Sequence, residues 1–358
     1  MSKSNPRHLK GRGAQSQVPN RFEAHTHEWL PEFLEHCSRE EEDLQPTTQV
    51  TRVFPKTIVN KVESPDVRMP YSMNPYQGCE HGCVYCYARN THEYWGYGAG
   101  LDFESKILVK ERAPELLEAF LRKPKWKAVP IVLSGNTDCY QPLERKFRLT
   151  RACLEVFLRY RHPVGIITKN ALVLRDLDLL RELHRHNLVA VHISLTTLQE
   201  PLRGMLEPRT ASAAKRLKTI EALSAEGIPV SAMLAPIIPG LNSHELLDLA
   251  RAASERGARS FAYTVVRLNG AIGPLFAQWL ERTMPDRAAR ILSQVRACHG
   301  GNLHYSRFGV RIKGEGPVSE QIRQMAALAR QRFFKDRAMP ELNTTQHAAW
   351  KTGQYALF

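Results

Sequence analysis

Three cysteines, Cys79, Cys83 and Cys86, stand in the run Asn74-Pro-Tyr-Gln-Gly-Cys-Glu-His-Gly-Cys-Val-Tyr-Cys-Tyr-Ala88. That spacing constrains the chain more than any other feature. Three thiolates in one short loop can hold three irons of a cubane cluster and leave the fourth iron without a protein ligand. Such an open position is a place for chemistry, whereas a cluster closed by four cysteines mainly carries electrons. Zinc is the alternative, and it needs a fourth ligand. Cys37, Cys139, Cys153 and Cys298 are scattered singly, but His81 and His92 lie close enough in sequence to leave a Cys₃His site open. A disulfide framework does not fit seven cysteines in 358 residues with no secretory signal.

The formal charge of +14, with a pI near 9.6, favours polyanionic partners such as nucleic acid. With 43% hydrophobic residues the chain can build a sizeable core, and no run of about 18 apolar residues suggests a membrane span. Free thiols that ligate iron require a reducing compartment, so a cytoplasmic location is expected. The N-terminal stretch carries Lys3, Arg7, Lys10, Arg12 and Arg21 among Gly, Ser, Pro and Gln, and then Glu40-Glu41-Glu42-Asp43 reverses the sign. Residues 1–47 therefore read as a disordered basic and acidic arm, and the ordered domain is expected to start near Thr48.

From Val50 onward short β-branched runs alternate with helical periodicity, the pattern of repeated βα units around a parallel sheet. Strands are expected at 71–74, 129–134, 164–168, 189–194, 230–234 and 261–265. Leu177, Leu180 and Leu183 form one helical stripe, and Ala213, Leu217, Ile220 and Leu223 another. Asn242 with Glu245 has the form of an N-terminal capping pair, and Gly227 and Gly257 that of helix C-caps. Six such units suit an α/β domain that is either barrel-like or a doubly wound open sheet. In both, polar residues at the C-terminal strand ends face the functional side. The expected divisions are a core over 48–300, an extension over 301–335 packing on it, and a flexible tail over 336–358.

The CxxxCxxC spacing, with Tyr85 just before the last cysteine, resembles the cluster loop of radical S-adenosylmethionine (SAM) enzymes. The flanking NPYxGCxHxCxYCYA context is similar to that of proteins related to spore photoproduct lyase. The resemblance implies a partial (β/α)₆ TIM-like barrel, a [4Fe–4S] cluster on Cys79, Cys83 and Cys86, and SAM on the open iron. It implies reductive SAM cleavage to a 5′-deoxyadenosyl radical, with electrons from a flavodoxin- or ferredoxin-type donor.

The same resemblance distributes SAM contacts over successive strand ends. Ser134, Gly135, Asn136 and Thr137 occupy the position of the methionine-binding motif, although the Gly-Gly-Glu form is absent. Lys169 would meet a carboxylate, Ser194 the ribose, Glu207 and Arg209 the amino-acid end, and Ala235 the adenine. His192 reads as an interior histidine. Photoproduct lyases place a thiol hydrogen donor where this chain has Gly135, which leaves Cys139 as the nearest candidate catalytic thiol.

For substrate, the resemblance favours nucleic acid, with lyase-type DNA repair foremost. The alternatives are RNA, a peptide or a small metabolite, or a non-catalytic Fe–S or zinc module. The stretch from His304 to Gly314 interleaves Tyr305 and Phe308 with Arg307, Arg311 and Lys313, a composition suited to stacking and phosphate contact. The end, Gln354-Tyr-Ala-Leu-Phe358, resembles the pentapeptide by which bacterial repair proteins dock on the DNA sliding clamp.

Overall fold

Ten strands divide between two sheets in the computed structural model, which describes residues 9–22, 47–67 and 69–352. In chain order they are β1 (Gln49–Arg52), β2 (Val59–Lys61), β3 (Tyr71–Met73), β4 (Tyr76–Gln77), β5 (Lys106–Val109), β6 (Ile131–Leu133), β7 (Val164–Thr168), β8 (Val189–Ser194), β9 (Val230–Ile237) and β10 (Ser260–Val265). The main sheet has the order β10-β9-β8-β7-β6-β3-β2. Every neighbouring pair in it is parallel except the β2–β3 hairpin.

The six parallel strands fall where the apolar runs predict them, with ends differing by up to three residues. Their residues are Val-, Ile- and Leu-rich because helices cover the outer face of the sheet. Leu180 and Leu183 of the helix Leu177–Arg185, and Ile220 and Leu223 of the helix Ala213–Ala225, are fully buried in the core shared with β7, β8 and β9. Strands β10 and β2 are edges and do not pair with each other, so the barrel is partial and open. Because the strands run in one direction, their C-terminal ends all open on one side. No helix among the described residues is long and apolar enough to cross a membrane.

The second sheet, β1-β5-β4, was not foreseen from the sequence. Its strands are too short for periodicity to reveal them. It matters because β4 leads directly into the cysteine loop, pairing Tyr76 with Val109 and Gln77 with Leu108.

Three local expectations change and one holds. Asn242 and Glu245 do not cap a helix: Asn242 receives Ile238 N–H at 2.6 Å and donates to the carbonyls of Thr196 and Pro236, while Glu245 accepts from Thr197 Oγ1 and Leu198 N–H. The pair ties the loop after β9 to the end of β8. Gly227 and Gly257 do adopt left-handed conformations behind their helices, with φ of 75° and 91°. Part of the expected arm is packed, since Gly13 and Ala14 donate backbone N–H groups to the buried Glu104 carboxylate at 3.1 and 2.8 Å. Part of the expected flexible tail is packed too. His347 meets the Tyr160 carbonyl at 2.8 Å, and Trp350 lies 4.2 Å from the Tyr160 ring. Composition gave no sign of either because a few specific backbone contacts hold these polar segments. The helix Gly316–Phe333 buries Ile322, Ala326 and Ala329 in the main core.

Leu180 lies fully buried in that core. Leu180→Ala is expected to cost about 2–5 kcal/mol, read as a lowered urea midpoint; an unchanged midpoint would mean that the stripe does not carry the helix.

Candidate active site

The cysteine loop is held from behind by one buried ion pair. Arg89 donates through Nε to the Cys83 carbonyl at 3.0 Å and through Nη1 to the carbonyls of Ala99 and Gly100, and its Nη2 meets Glu104. Both side chains of the pair are fully buried. The other side of Glu104 receives the N-terminal segment, with Arg12 donating to the Glu104 carbonyl at 2.6 Å. Cys79 N–H donates to the Phe103 carbonyl at 2.8 Å, and Gln141 bridges the loop by accepting from Glu80 N–H and donating to the Gly78 carbonyl. Gly82, at φ 69°, sits where a Cβ would reach within 3.0 Å of Glu104 and 3.2 Å of Pro208, so the tight turn between the first two cysteines requires glycine.

With its back fixed, the loop turns its thiols toward a cavity of about 380 Å³ at the C-terminal strand ends. Cys79, Cys83, Cys86 and Tyr85 line it, as do Ser134, Gly135, Asn136, Thr137, Lys169, Ser194 and Ala235. The structure thus brings together eleven of the fourteen residues singled out from the sequence.

Three positions differ. Glu207 lies behind the cavity wall, fully buried, accepting from Tyr85 Oη, from Thr196 Oγ1 at 2.7 Å and from Arg216 Nη2. Its expected partner Arg209 turns away to Glu80, 3.7 Å distant, and does not reach the cavity. Arg216 takes the pairing role because its helix aims it inward, where it also donates to the Ser194 carbonyl at 3.1 Å. Cys139 is buried in the main hydrophobic core, not on the cavity wall, and burial pushes its thiol well above the usual range. Its backbone N–H donates to Ser134 Oγ at 2.7 Å.

Gly135 is required by close approach: a Cβ there would lie 2.5 Å from Ser72 Cβ on the neighbouring strand. No side chain, thiol-bearing or other, fits at that position unless Ser72 moves. The preceding Ser134 has φ 72°, a left-handed conformation that costs a non-glycine residue free energy and is held by the Cys139 bond.

The electrostatics are organised around two carboxylates, one buried and one nearly so. Burial would raise the Glu207 carboxyl, but Arg216 and Lys169 outweigh it and hold it at about 2. Burial likewise opposes charge on Lys169, yet Cys83 and Glu207 raise its pKa above the usual lysine value. Its ammonium sits 6.0 Å from the centre of the Tyr85 ring. The second carboxylate, Asp138, accepts from Thr168 Oγ1 and Lys169 N–H, both at 2.8 Å, and pairs with His81 Nδ1 at 3.3 Å. Burial opposes ionisation of both partners, but their mutual attraction wins and holds Asp138 at about 2 and His81 at about 10. Both line the cavity. The sequence named neither as a site pair, because they are far apart in the chain and meet only in the assembled fold.

The donor set fits an iron–sulfur cluster. Three free thiols stand on one wall, and each can serve a separate iron. No three His, Cys, Asp or Glu side chains among the described residues are arranged to hold a single ion. His81 is engaged by Asp138, and His92 is stacked on Tyr97 at 5.2 Å beside Phe103.

Comparison with known proteins agrees with this geometry. The family model described as the Radical SAM superfamily matches residues 73–253. An uncharacterized protein of Mycobacterium tuberculosis is 34% identical over 241 residues, 66% of this chain and 71% of that protein. An uncharacterized protein of Methanocaldococcus jannaschii is 30% identical over 238 residues, covering 66% of this chain and 85% of the relative. Among solved structures, spore photoproduct lyase complexed with dinucleoside spore photoproduct superposes with a TM-score of 0.59 at 15% identity, over 80% of this chain and 79% of the other. At that identity the likeness is one of fold.

Glu104→Ala leaves the Arg89 guanidinium buried without its carboxylate. A loss of about 3–5 kcal/mol is expected, with a lower melting temperature and less iron retained per chain after reconstitution. Wild-type melting and iron content in this variant would show that the loop does not depend on the pair.

Proposed function

The chain belongs to the radical SAM superfamily, and on that premise we propose that it is a nucleic-acid-modifying member, related in reaction type to the DNA-repair lyases. Enzymes of this superfamily use a [4Fe–4S] cluster and SAM, which when bound supply one-electron hydrogen-abstraction chemistry and draw on an external reductant. The observation that carries the site assignment is the shared cavity lined by Cys79, Cys83, Cys86, Lys169 and Ser194.

In this reading Cys79, Cys83 and Cys86 hold the cluster, and Lys169 offers its ammonium to the carboxylate of SAM. Ser194, anchored through its carbonyl by Arg216, meets the ribose. Ser134 to Thr137 present backbone and side-chain groups to the amino-acid end, while Ala235 keeps one wall small enough for the adenine. Tyr85 belongs to the loop and, through its hydroxyl on Glu207, locks it onto the segment just after β8. Glu207 acts through Tyr85 and Arg216 as a positioning residue. Cys139 has no place as hydrogen donor, and neither has Gly135. A repair reaction of the spore photoproduct lyase type would need its terminal hydrogen atom from elsewhere.

Nucleic acid is favoured over a peptide or small metabolite by the +14 charge and by the fold shared with an enzyme solved with a dinucleoside photoproduct. A flavodoxin- or ferredoxin-type protein is the fitting electron donor. The tail from Gln354 to Phe358 lies outside the described residues, and its sequence supports a sliding-clamp anchor. Removing those five residues should abolish capture by the purified clamp; equal capture of both forms would eliminate the anchor.

Two measurements test the main reading. Lys169→Met is expected to weaken SAM binding about tenfold, about 1.4 kcal/mol, while the visible absorbance of the cluster is retained; undiminished SAM affinity would remove Lys169 from the site. Reconstituted protein with SAM and dithionite should form 5′-deoxyadenosine faster when irradiated or intact oligonucleotides are added. Stimulation by peptides or metabolites but by no oligonucleotide would replace this reading with the alternative.

A further inference from the structure

One end of the cavity carries positive charge that the cluster and SAM assignments do not use. Arg267, just beyond β10, and Arg311 both line it. Arg311 is held rigidly: its Nε meets Asp66, its Nη2 donates to Ser64 Oγ at 2.6 Å, and its guanidinium lies 4.1 Å from the centre of the Phe308 ring. The same Asp66 accepts from Gly309 N–H at 2.6 Å, and Val265 N–H donates to the Ile312 carbonyl at 2.9 Å. These bonds pin the 307–313 segment between the edge strand β10 and the β2–β3 turn, across the open side of the barrel. Arg267 differs. Its Nε is buried and has no hydrogen-bond partner among the described residues.

A buried charged donor without an acceptor costs more than a neutral one. Such a group marks a place where a water, an ion or a ligand supplies the acceptor. Two guanidinium groups face one carboxylate here, so the corner has a net positive charge that calls for an anion. The planar fork of arginine matches phosphate oxygens in a bidentate manner. At the same rim Phe308 and Tyr87 are each 55% exposed, Tyr87 with its hydroxyl bonded to the Gly135 carbonyl at 2.8 Å. Exposed aromatic faces beside arginines are the pairing that holds single-stranded or flipped-out nucleotides. A peptide carboxylate would satisfy the charge but would leave these rings unused.

We propose that Arg267, with Arg311 beside it, forms a phosphodiester-binding subsite that seats the backbone of a nucleic-acid substrate at the cavity rim. The assignment rests on the nucleic-acid reading above and deepens it by naming the group that is recognised.

The test uses full-length, anaerobically reconstituted protein with SAM and a labelled single-stranded deoxyoligonucleotide, followed by fluorescence anisotropy across salt. Arg267→Gln is expected to weaken binding about tenfold and to reduce the salt slope by about one. Arg267→Lys, which keeps the charge but loses the fork, should fall between the two. The exposed Arg332→Gln removes equal charge elsewhere on the surface and should change affinity less than about twofold. Circular dichroism and iron content identify any variant that misfolds. A second arm leaves the protein untouched: a methylphosphonate scan of the oligonucleotide should reveal one neutralised phosphate that costs wild-type affinity but costs Arg267→Gln nothing further. Oligonucleotide binding that is equal in wild type and Arg267→Gln would overturn the subsite and leave the nucleic-acid reading standing. Wild-type protein that binds no oligonucleotide removes that reading and the subsite with it. Stronger competition by carboxylate-terminated peptides than by oligonucleotides would reassign the anion and overturn the phosphodiester.

Discussion

The Arg89–Glu104 pair is the interaction on which the site depends. A loop that turns three thiols toward a cavity takes much of its order from the opposite side. Arg89 supplies that order by binding the Cys83 carbonyl and two carbonyls at 99 and 100. Glu104 neutralises it and, with its remaining acceptor capacity, gathers the backbone of residues 13 and 14 over the loop. A buried pair of this kind is weak evidence for stability as such. Its value here is positional: several separate chain segments share one electrostatic centre.

A second buried centre sets the front of the loop. Glu207 receives Tyr85, Thr196 and Arg216 together, so Tyr85, between the second and third cysteines, is tied to the segment just after β8 and to the helix Ala213–Ala225. Lys169 then stands as a partly buried cation between the thiols and Glu207, and Asp138 fixes its backbone. The buried ionised groups described around the cavity have partners that offset their desolvation, whereas the orphan nitrogen of Arg267 leaves its part of the wall electrostatically incomplete among the described residues.

The strands were legible because parallel strands covered on both faces are nearly continuous apolar runs, and β7 and β8 coincide with those runs residue for residue. The cavity-lining residues at strand ends were legible for the same reason, since the end of an apolar run locates the functional side. Glu207 and Arg209 show where this fails. They are neighbours in sequence, and local spacing suggested a shared role, but the backbone after the helix Glu200–Leu206 sends one side chain inward and the other to Glu80. Cys139 fails similarly: it lies close to a strand end, yet its side chain is buried in the main core. The packed pieces of the N-terminal arm and the tail were invisible because specific backbone donors and a few rings hold them, not an apolar face.

By itself the sequence determined the cluster loop, the six parallel strands and hence the side on which chemistry takes place. Those features depend on spacing and on alternation of apolar with polar residues, both of which are local. The tertiary structure alone decided which charged groups face one another: Arg89 with Glu104, Arg216 with Glu207, His81 with Asp138, and Arg311 with Asp66. The last two pairs join segments brought together only when the strands assemble. Even the first two, closer in sequence, meet through side-chain directions that the chain composition does not encode. Coulombic pairing at that range follows distance in space, and the sequence sets the distance only through the completed fold.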